Sequence, residues 1–423
     1  MAMAASADRP CAAGLLVRPA DAHQGALPTF LPVARLRAHE KERGCATRES
    51  VFGVHSAGVP RPSEPPRPAG SSSRTGHDWQ LMRQKGKQRM ATATAPTERI
   101  AFASSSSGPR IGQLDALRGL ALGGILLVNI GQIMHMPGIV DLRKLPIPHV
   151  LDMTAHQRFF PLFSLLFGVG FGIFLQRAGA RAQRPRLLLL RRLVALAVLG
   201  AVHHLLQPGE ALLWYALFGI VVLLPLSWVP RWINLAIGLT MTVVLTVLFG
   251  GGLLLVPGLL VTGFALAQLG LPNALDRLGP HLLTAFVLAA AGSVAALLWQ
   301  EQDPLSAGFT PSSAVAGLTM AVAYATGLLL VLRTPVGRRL APTLEALGRM
   351  ALTNYITATL LIVSFGAALG LEGSTAWPTM LGFAAAILVV QALWSRWWLA
   401  RFRYGPLEWA WRCVTWWRRF DLR

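Results

Sequence analysis

His203, His204 and Glu210 fall within eight residues, in a segment HHLLQPGEALLWYALFGI that leaves one apolar run, turns at Pro208-Gly209 and enters the next. A carboxylate that orients an imidazole and raises its basicity is a general-base arrangement. The same residue types bind divalent metals, although no HExxH-type spacing is present. They serve equally well to cap a tight helical hairpin in interfacial water. A second constellation opens the apolar region, in LDALRGLALGGILLVNI at 114–130. Asp115 and Arg118 stand at i and i+3, so on a helix they share a face and pair. Gly119, Gly123 and Gly124 follow, and small residues let neighbouring helices approach closely. Asn129 sits near the far end of the run, where an amide is costly unless something receives it. The ion pair either fixes the first helix or receives an anionic ligand.

The elements that must position these residues are membrane helices. The 423 residues are 53% hydrophobic and 14% charged, where soluble domains carry about 25% charged residues. Apolar runs of about 20 residues match the ~30 Å hydrocarbon core. The fold class is therefore all-α, a polytopic transmembrane helical bundle. Ten spans can be drawn, near 115–134, 159–176, 187–206, 211–228, 232–250, 253–271, 281–300, 313–332, 347–370 and 376–399. Arginines crowd the connections 176–192 and 333–346 and the tail after 396, whereas 207–210, 301–312 and 371–375 contain no Lys or Arg. Basic loops stay cytoplasmic. The assignments agree only if 232–271 crosses twice, turning at Gly250-Gly251-Gly252, with both termini cytoplasmic.

With that orientation the unusual polar residues form two layers. Asp115, Arg118, Arg191, Arg192 and Arg349 lie at the cytoplasmic side, with Asn354 about two turns deeper. Asn129, His135, His156, Arg158, His203, His204, Glu210, Trp214 and Tyr215 lie towards the outside. Ionisable groups at membrane depth face the bundle interior or a watery cavity. For Arg191 and Arg192 the simpler reading is snorkelling to the headgroups.

The net charge of +20 belongs to these loops and not to nucleic-acid binding. In the C-terminal WSRWWLARFRYGPLEWAWRCVTWWRRF, tryptophan interleaved with arginine directly after a span suits the membrane interface. Cys11, Cys45 and Cys413 have no metal or redox spacing. Residues 1–108 are rich in Pro, Ser, Arg and Gly without a sustained period, and are expected to form a disordered tail ahead of the transmembrane domain 109–423. Met90 begins a natural-looking start, MATATAPTERIAF, so residues 1–89 are either sequence upstream of the true initiation site or a real disordered tail.

Five pieces in order resemble the YeiB-like family (domain of unknown function 418): LDALRG with VNI, FPLFSLLFGVGFGIF at 160–174, HHLLQPGEALLWYAL at 203–217, LGRMALTNYI at 347–356 and YGPLEWAWR at 404–412. Where that family usually shows Gly-Asp, this chain has Gly209-Glu210. The family is distantly similar to transmembrane acyltransferases. In their acyltransferase-3 branch a catalytic histidine falls eleven residues after the arginine, a position held here by Asn129. The heparan-alpha-glucosaminide N-acetyltransferase branch keeps Asn there and places its histidine in the following loop, which points to His135 or His156.

The resemblance implies acyl transfer from a cytoplasmic acyl-CoA co-substrate, with no tightly bound cofactor. Its phosphates would dock on Arg118 and Arg349 beside Asp115, and an outer histidine (His203, His204, His135 or His156, with Glu210) would act as base or carrier. The acceptor would be an envelope glycan or lipid at a bacterial cell membrane, met by Asn129, Arg158, Trp214, Tyr215 and Asn354. A transporter or lipid-handling protein, with the two polar layers as gates, is the alternative.

Overall fold

The computed structural model describes residues 111–137, 146–302 and 309–423, all within the unit Glu98–Arg423. The expectations for residues 1–108, including the start at Met90, lie outside the described residues. Among those described, every regular element is helical. The longer ones begin with α1 (Gly112–Ile133), α2 (Pro146–Thr154), α3 (Phe159–Gly179), α4 (Pro185–His204) and α5 (Leu212–Phe218), the last continuing through a π-helical turn. After these come α6 (Arg231–Phe249), α7 (Val256–Gln268), α8 (Gly279–Gln302) and α9 (Pro311–Val331). The chain closes with α10 (Pro335–Arg349), α11 (Ala351–Phe365), α12 (Trp377–Leu399) and α13 (Pro406–Trp416).

Each of the ten predicted segments overlaps a helix, but the count of spans comes out differently. Among the described residues, six helices are long and apolar enough to cross a membrane, or up to eight if each bent pair is one span. α4 carries Arg186, Arg191 and Arg192, and the helix from Leu212 to Leu226 is short. The orientation of the ends rests on loop charge alone.

Two departures from a simple row of spans shape the molecule. The stretch 232–271 breaks at Gly250–Gly252, where Gly250 has φ 75° and Gly252 φ 76°, a region open to glycine. The chain then folds back: Gly238 of α6 lies against Thr262 of α7, and Gly258 of α7 against Thr242 of α6, an antiparallel register. The predicted span 347–370 is instead broken. It bends by 77° between α10 and α11, at Met350. α10 starts at a Thr334 side-chain cap on the Gly337 N–H (3.1 Å) and is strongly amphipathic, with Arg338 and Arg339 exposed.

Close backbone contact fixes α10 on α1. A Cβ at Gly119 would strike the Leu344 carbonyl, and one at Gly348 would strike the Asp115 carbonyl. α3 and α7 meet in the same way, through Gly168 and Gly263. Within a bilayer such small-residue contacts supply packing that hydrophobic burial cannot. α6 and α8, by contrast, leave most of their apolar surface exposed, as lipid-facing helices do.

The bundle thus has an arginine end (starts of α1 and α4, ends of α3 and α12) and a histidine end (His135, His156, His203). If loop charge sets orientation, a cysteine at Gly373 should react with a membrane-impermeant maleimide added to intact cells, in a background without native cysteines. A cysteine at Arg338 should not. Labelling at 338 with protection at 373 would invert the bundle.

Candidate functional site

One cavity of ≈ 970 Å³ is lined by residues of both ends. At the arginine end Arg118 Nη1 donates to Asp115 Oδ1 at 2.8 Å, the i,i+3 pair that the spacing predicts. The guanidinium lies across Gly170 of α3, where a Cβ would stand 3.0 Å from Nη2. Arg192 departs from the snorkelling expectation. Half-buried on the cavity wall, its guanidinium stacks 3.5 Å from the Trp411 ring and 5.0 Å from that of Phe174. Trp411 Nε1 donates to the Arg192 carbonyl at 2.8 Å, so α13 closes over this end instead of merely lying at the interface. Arg349, at the last residue of α10, donates from Nη2 to the Arg403 carbonyl at 3.4 Å.

Glu408 ties α13 down. Its carboxylate accepts from the Leu352 and Thr353 N–H groups (2.8 and 3.0 Å) and from Thr353 Oγ1 (2.6 Å), satisfying the first turn of α11. Burial pushes the Glu408 carboxyl above the usual range, and the bonds from Thr353 and Leu352 oppose that rise. Asn354 has no place in the cavity lining. Its Nδ2 donates to the Leu347 carbonyl (3.2 Å) and Ser395 Oγ (3.0 Å), and its carbonyl accepts from Gln391 (2.8 Å), so it stitches the bend to α12.

The middle of the cavity is apolar. Phe160, Phe163, Phe167 and Phe174 recur at helical spacing along one side of α3 and all line it. Trp214 and Tyr215 line it too, but the Tyr215 hydroxyl is held by Ser164 Oγ at 2.9 Å. Asn129 reaches the wall beside Tyr355, whose hydroxyl meets the Asn129 side chain and the Ala211 backbone.

At the histidine end the hairpin residues part company. His204 is exposed and outside the cavity lining, whereas His203 is buried behind Glu210, with Nδ1 3.5 Å from Glu210 Oε1. Glu210 reaches the cavity, yet its two oxygens accept the Leu212 and Leu213 N–H groups (2.6 and 2.8 Å), a helix cap. His135 also lines the cavity and pairs with Glu372 at 2.9 Å, both side chains exposed.

A better-oriented imidazole is His156, which lines the cavity with Nδ1 3.3 Å from Oδ1 of the buried Asp152. Asp152 Oδ2 accepts from Gln300 Nε2 (3.3 Å), and Gln300 Oε1 accepts from Arg158 Nη2 (2.6 Å). Arg158 is wholly buried and also donates to the Met153 carbonyl (3.1 Å) and the Ser313 carbonyl (3.2 Å). It therefore braces the wall from behind and is absent from the cavity lining. Among the described residues no three His, Cys, Asp or Glu side chains converge as on a metal.

Sequence reasoning missed Asp152, Gln300, Glu408 and Tyr355. The Asp152–His156 pair carries an i,i+4 signal, but in a stretch read as a loop. Gln300 stands with Glu301 and Gln302 at the polar end of an apolar run, and Tyr355 adjoins Asn354.

The sequence model of the family described as "Protein of unknown function (DUF418)" matches residues 262–418. The chain is 33% identical over 340 residues to an uncharacterized 39.9 kDa protein in the amylase 3' region of Bacillus acidopullulyticus, an alignment covering 74% of this chain and 96% of that protein. It is 27% identical over 387 residues to the uncharacterized protein YxaH of Bacillus subtilis (72% and 94% covered). Against the uncharacterized protein YeiB of Escherichia coli it is 28% identical over 389 residues (71% and 95% covered). No solved structure matches the chain.

Proposed function

The chain belongs to the YeiB-like DUF418 family, and from that premise we propose that it is a bacterial membrane acyltransferase. It moves an acyl group from a cytoplasmic acyl-CoA to a hydroxyl or amine of an extracytoplasmic envelope glycan or lipid. The observation that carries this reading is a single cavity with arginines at one end, phenylalanines in the middle and the Asp152–His156 pair at the other. Arg118 and Gln132 both line it from α1, and 14 residues of helix separate them by roughly 21 Å. A donor with a phosphate head and a long thin arm suits such a shape.

The chemistry assigned to this chain is general-base catalysis at His156. Its Nδ1–H is held by Asp152, which leaves Nε2 to take the proton from the acceptor as its oxygen or nitrogen attacks the thioester carbonyl. Asp152 stabilises the imidazolium so formed. As the tetrahedral intermediate collapses, the C–S bond breaks and the thiolate recovers the proton from His156. Arg118 and Arg349 hold phosphate oxygens through guanidinium forks.

The phenylalanine-lined middle equally favours a second reading, passage of a lipid without chemistry. Purified protein incubated with labelled acetyl-CoA or longer acyl-CoAs and a bacterial envelope extract separates the two. A protein-dependent labelled product is expected. Its absence at every chain length would leave the transport reading.

A further inference from the structure

Among the described residues, three that are not glycine have positive φ: His135 at 45°, Gln157 at 57° and Trp417 at 50°. His135 and Trp417 stand just past the ends of α1 and α13, where a left-handed residue is a common helix stop. Gln157 lies instead between α2 and α3. It is the third residue of the turn Ala155–Arg158, which the Arg158 N–H closes on the Ala155 carbonyl at 3.2 Å. A turn that needs positive φ at that place ordinarily takes glycine or asparagine there. Glutamine is strained in this region, and such strain persists where the surroundings over-determine it, often beside a functional group. The residue before it is His156.

Two contacts hold the strained turn. The Gln157 carbonyl is seated against Gly317 of α9, where a Cβ would strike that oxygen. The Gln157 side chain reaches the glycine turn between α6 and α7, and its Oε1 accepts the Gly252 N–H at 3.1 Å. The following residue, Arg158, is tied to Gln300 of α8 and to Ser313 of α9. Behind His156 the contact is looser. Its Nδ1 stands 3.3 Å from Asp152 Oδ1, longer than the usual range of about 2.7–3.2 Å. So long a bond orients a ring weakly, and the backbone that carries His156 must set its aim. Glycine at position 157 would make the same turn without strain, but it would have no arm to reach Gly252.

We infer that Gln157 is a positioning residue for His156: its left-handed backbone turns the imidazole toward the cavity, and its amide oxygen locks that turn to the Gly252 N–H. Gln157 and Gly252 both line the cavity, as His156 does. The inference rests on the reading of His156 as general base. It adds that the glycine turn, 95 positions away, belongs to the machinery that aims the base.

The test follows the imidazole itself, in the full chain in phosphatidylcholine nanodiscs. Nitrogen NMR of isotope-labelled histidine reads its tautomer, with His156→Gln assigning the signal, and the acyl-CoA assay reads kcat and KM. Gln157→Gly keeps the turn and removes the arm. Gln157→Asn tolerates the left-handed backbone but is one methylene shorter, so it serves if the first variant does not fold. Gln157→Glu restores the acceptor oxygen. Thermal unfolding checks that each variant is folded. The unsubstituted chain should show a single Nδ1–H tautomer at His156, and the first two variants a mixture. Their kcat should fall by roughly tenfold or more, as for a misplaced base, with the acyl-CoA KM held. Gln157→Glu should recover both tautomer and turnover. A tautomer that depends on the arm, with no product from any protein, upholds the lock and defeats the acyl-transfer reading. A tautomer unchanged in the folded first two variants overturns the inference, even where their unfolding temperature drops, because Gln157 would then hold only the fold. A kcat unchanged despite a mixture, or a failure of Gln157→Glu to restore the single tautomer, overturns it as well.

Discussion

Replacing His156 by glutamine should cut formation of acylated product by 10²- to 10⁴-fold, the usual contribution of a positioned general base. The thermal unfolding temperature should change little, because the His156 ring stands at a cavity wall and is about one-third exposed. Asp152→Asn tests the same pair from behind. The amide can still hold the ring but no longer stabilises the imidazolium, so turnover should fall while the acyl-CoA KM is retained. The competing site is the hairpin. If His203→Gln abolishes the product in folded protein while His156→Gln leaves it intact, the base lies instead at the hairpin pair, His203 and Glu210.

Arg158→Met should be the most destabilising single change at the histidine end. It removes the donor to Gln300 Oε1 and the Ser313 carbonyl, both buried, and to the half-buried Met153 carbonyl. Breaking a buried charged network by removing one partner costs about 3–5 kcal/mol. Gln300 would then lose its register on Asp152, so the loss of stability should be accompanied by a drop in turnover. Thermal unfolding in nanodiscs reads the first effect, and labelled product in the surviving folded fraction reads the second. An unfolding temperature equal to the unsubstituted protein would show that Arg158 braces nothing.

What the sequence made legible followed from local pattern. Apolar runs marked the helices, and the triple glycine marked a real turn because Gly250 and Gly252 need positive φ. The Asp115–Arg118 pair was readable because both partners sit on one helix face within one turn. The rest depended on partners distant in sequence. Arg192 looks like any arginine near a helix end, and it is Trp411, 219 positions later, together with Phe174 that turns it inward. Likewise Asp152 and His156 lie on α2 and the turn after it, in a stretch without the long apolar run that marks a span, and Gln300 and Arg158 reach Asp152 only once α8 and α9 have packed. The break at Met350 escapes a hydropathy reading because apolar character continues across it. What separates α10 from α11 is the contact of Gly348 with α1.

That contact gives the arginine end a mechanical character. Glu408 bolts α13 to the first turn of α11, Met350 is the elbow between α11 and α10, and Gly348 seats α10 on the Asp115 carbonyl. Force applied to the C-terminal helix therefore travels through a short lever to the opening turn of α1. Arg118 and Arg412, nearly 300 positions apart, are thereby held in one frame on the same cavity. A substitution at Gly348, where a Cβ would strike the Asp115 carbonyl, should therefore disturb the placement of Arg118 and Arg412 together.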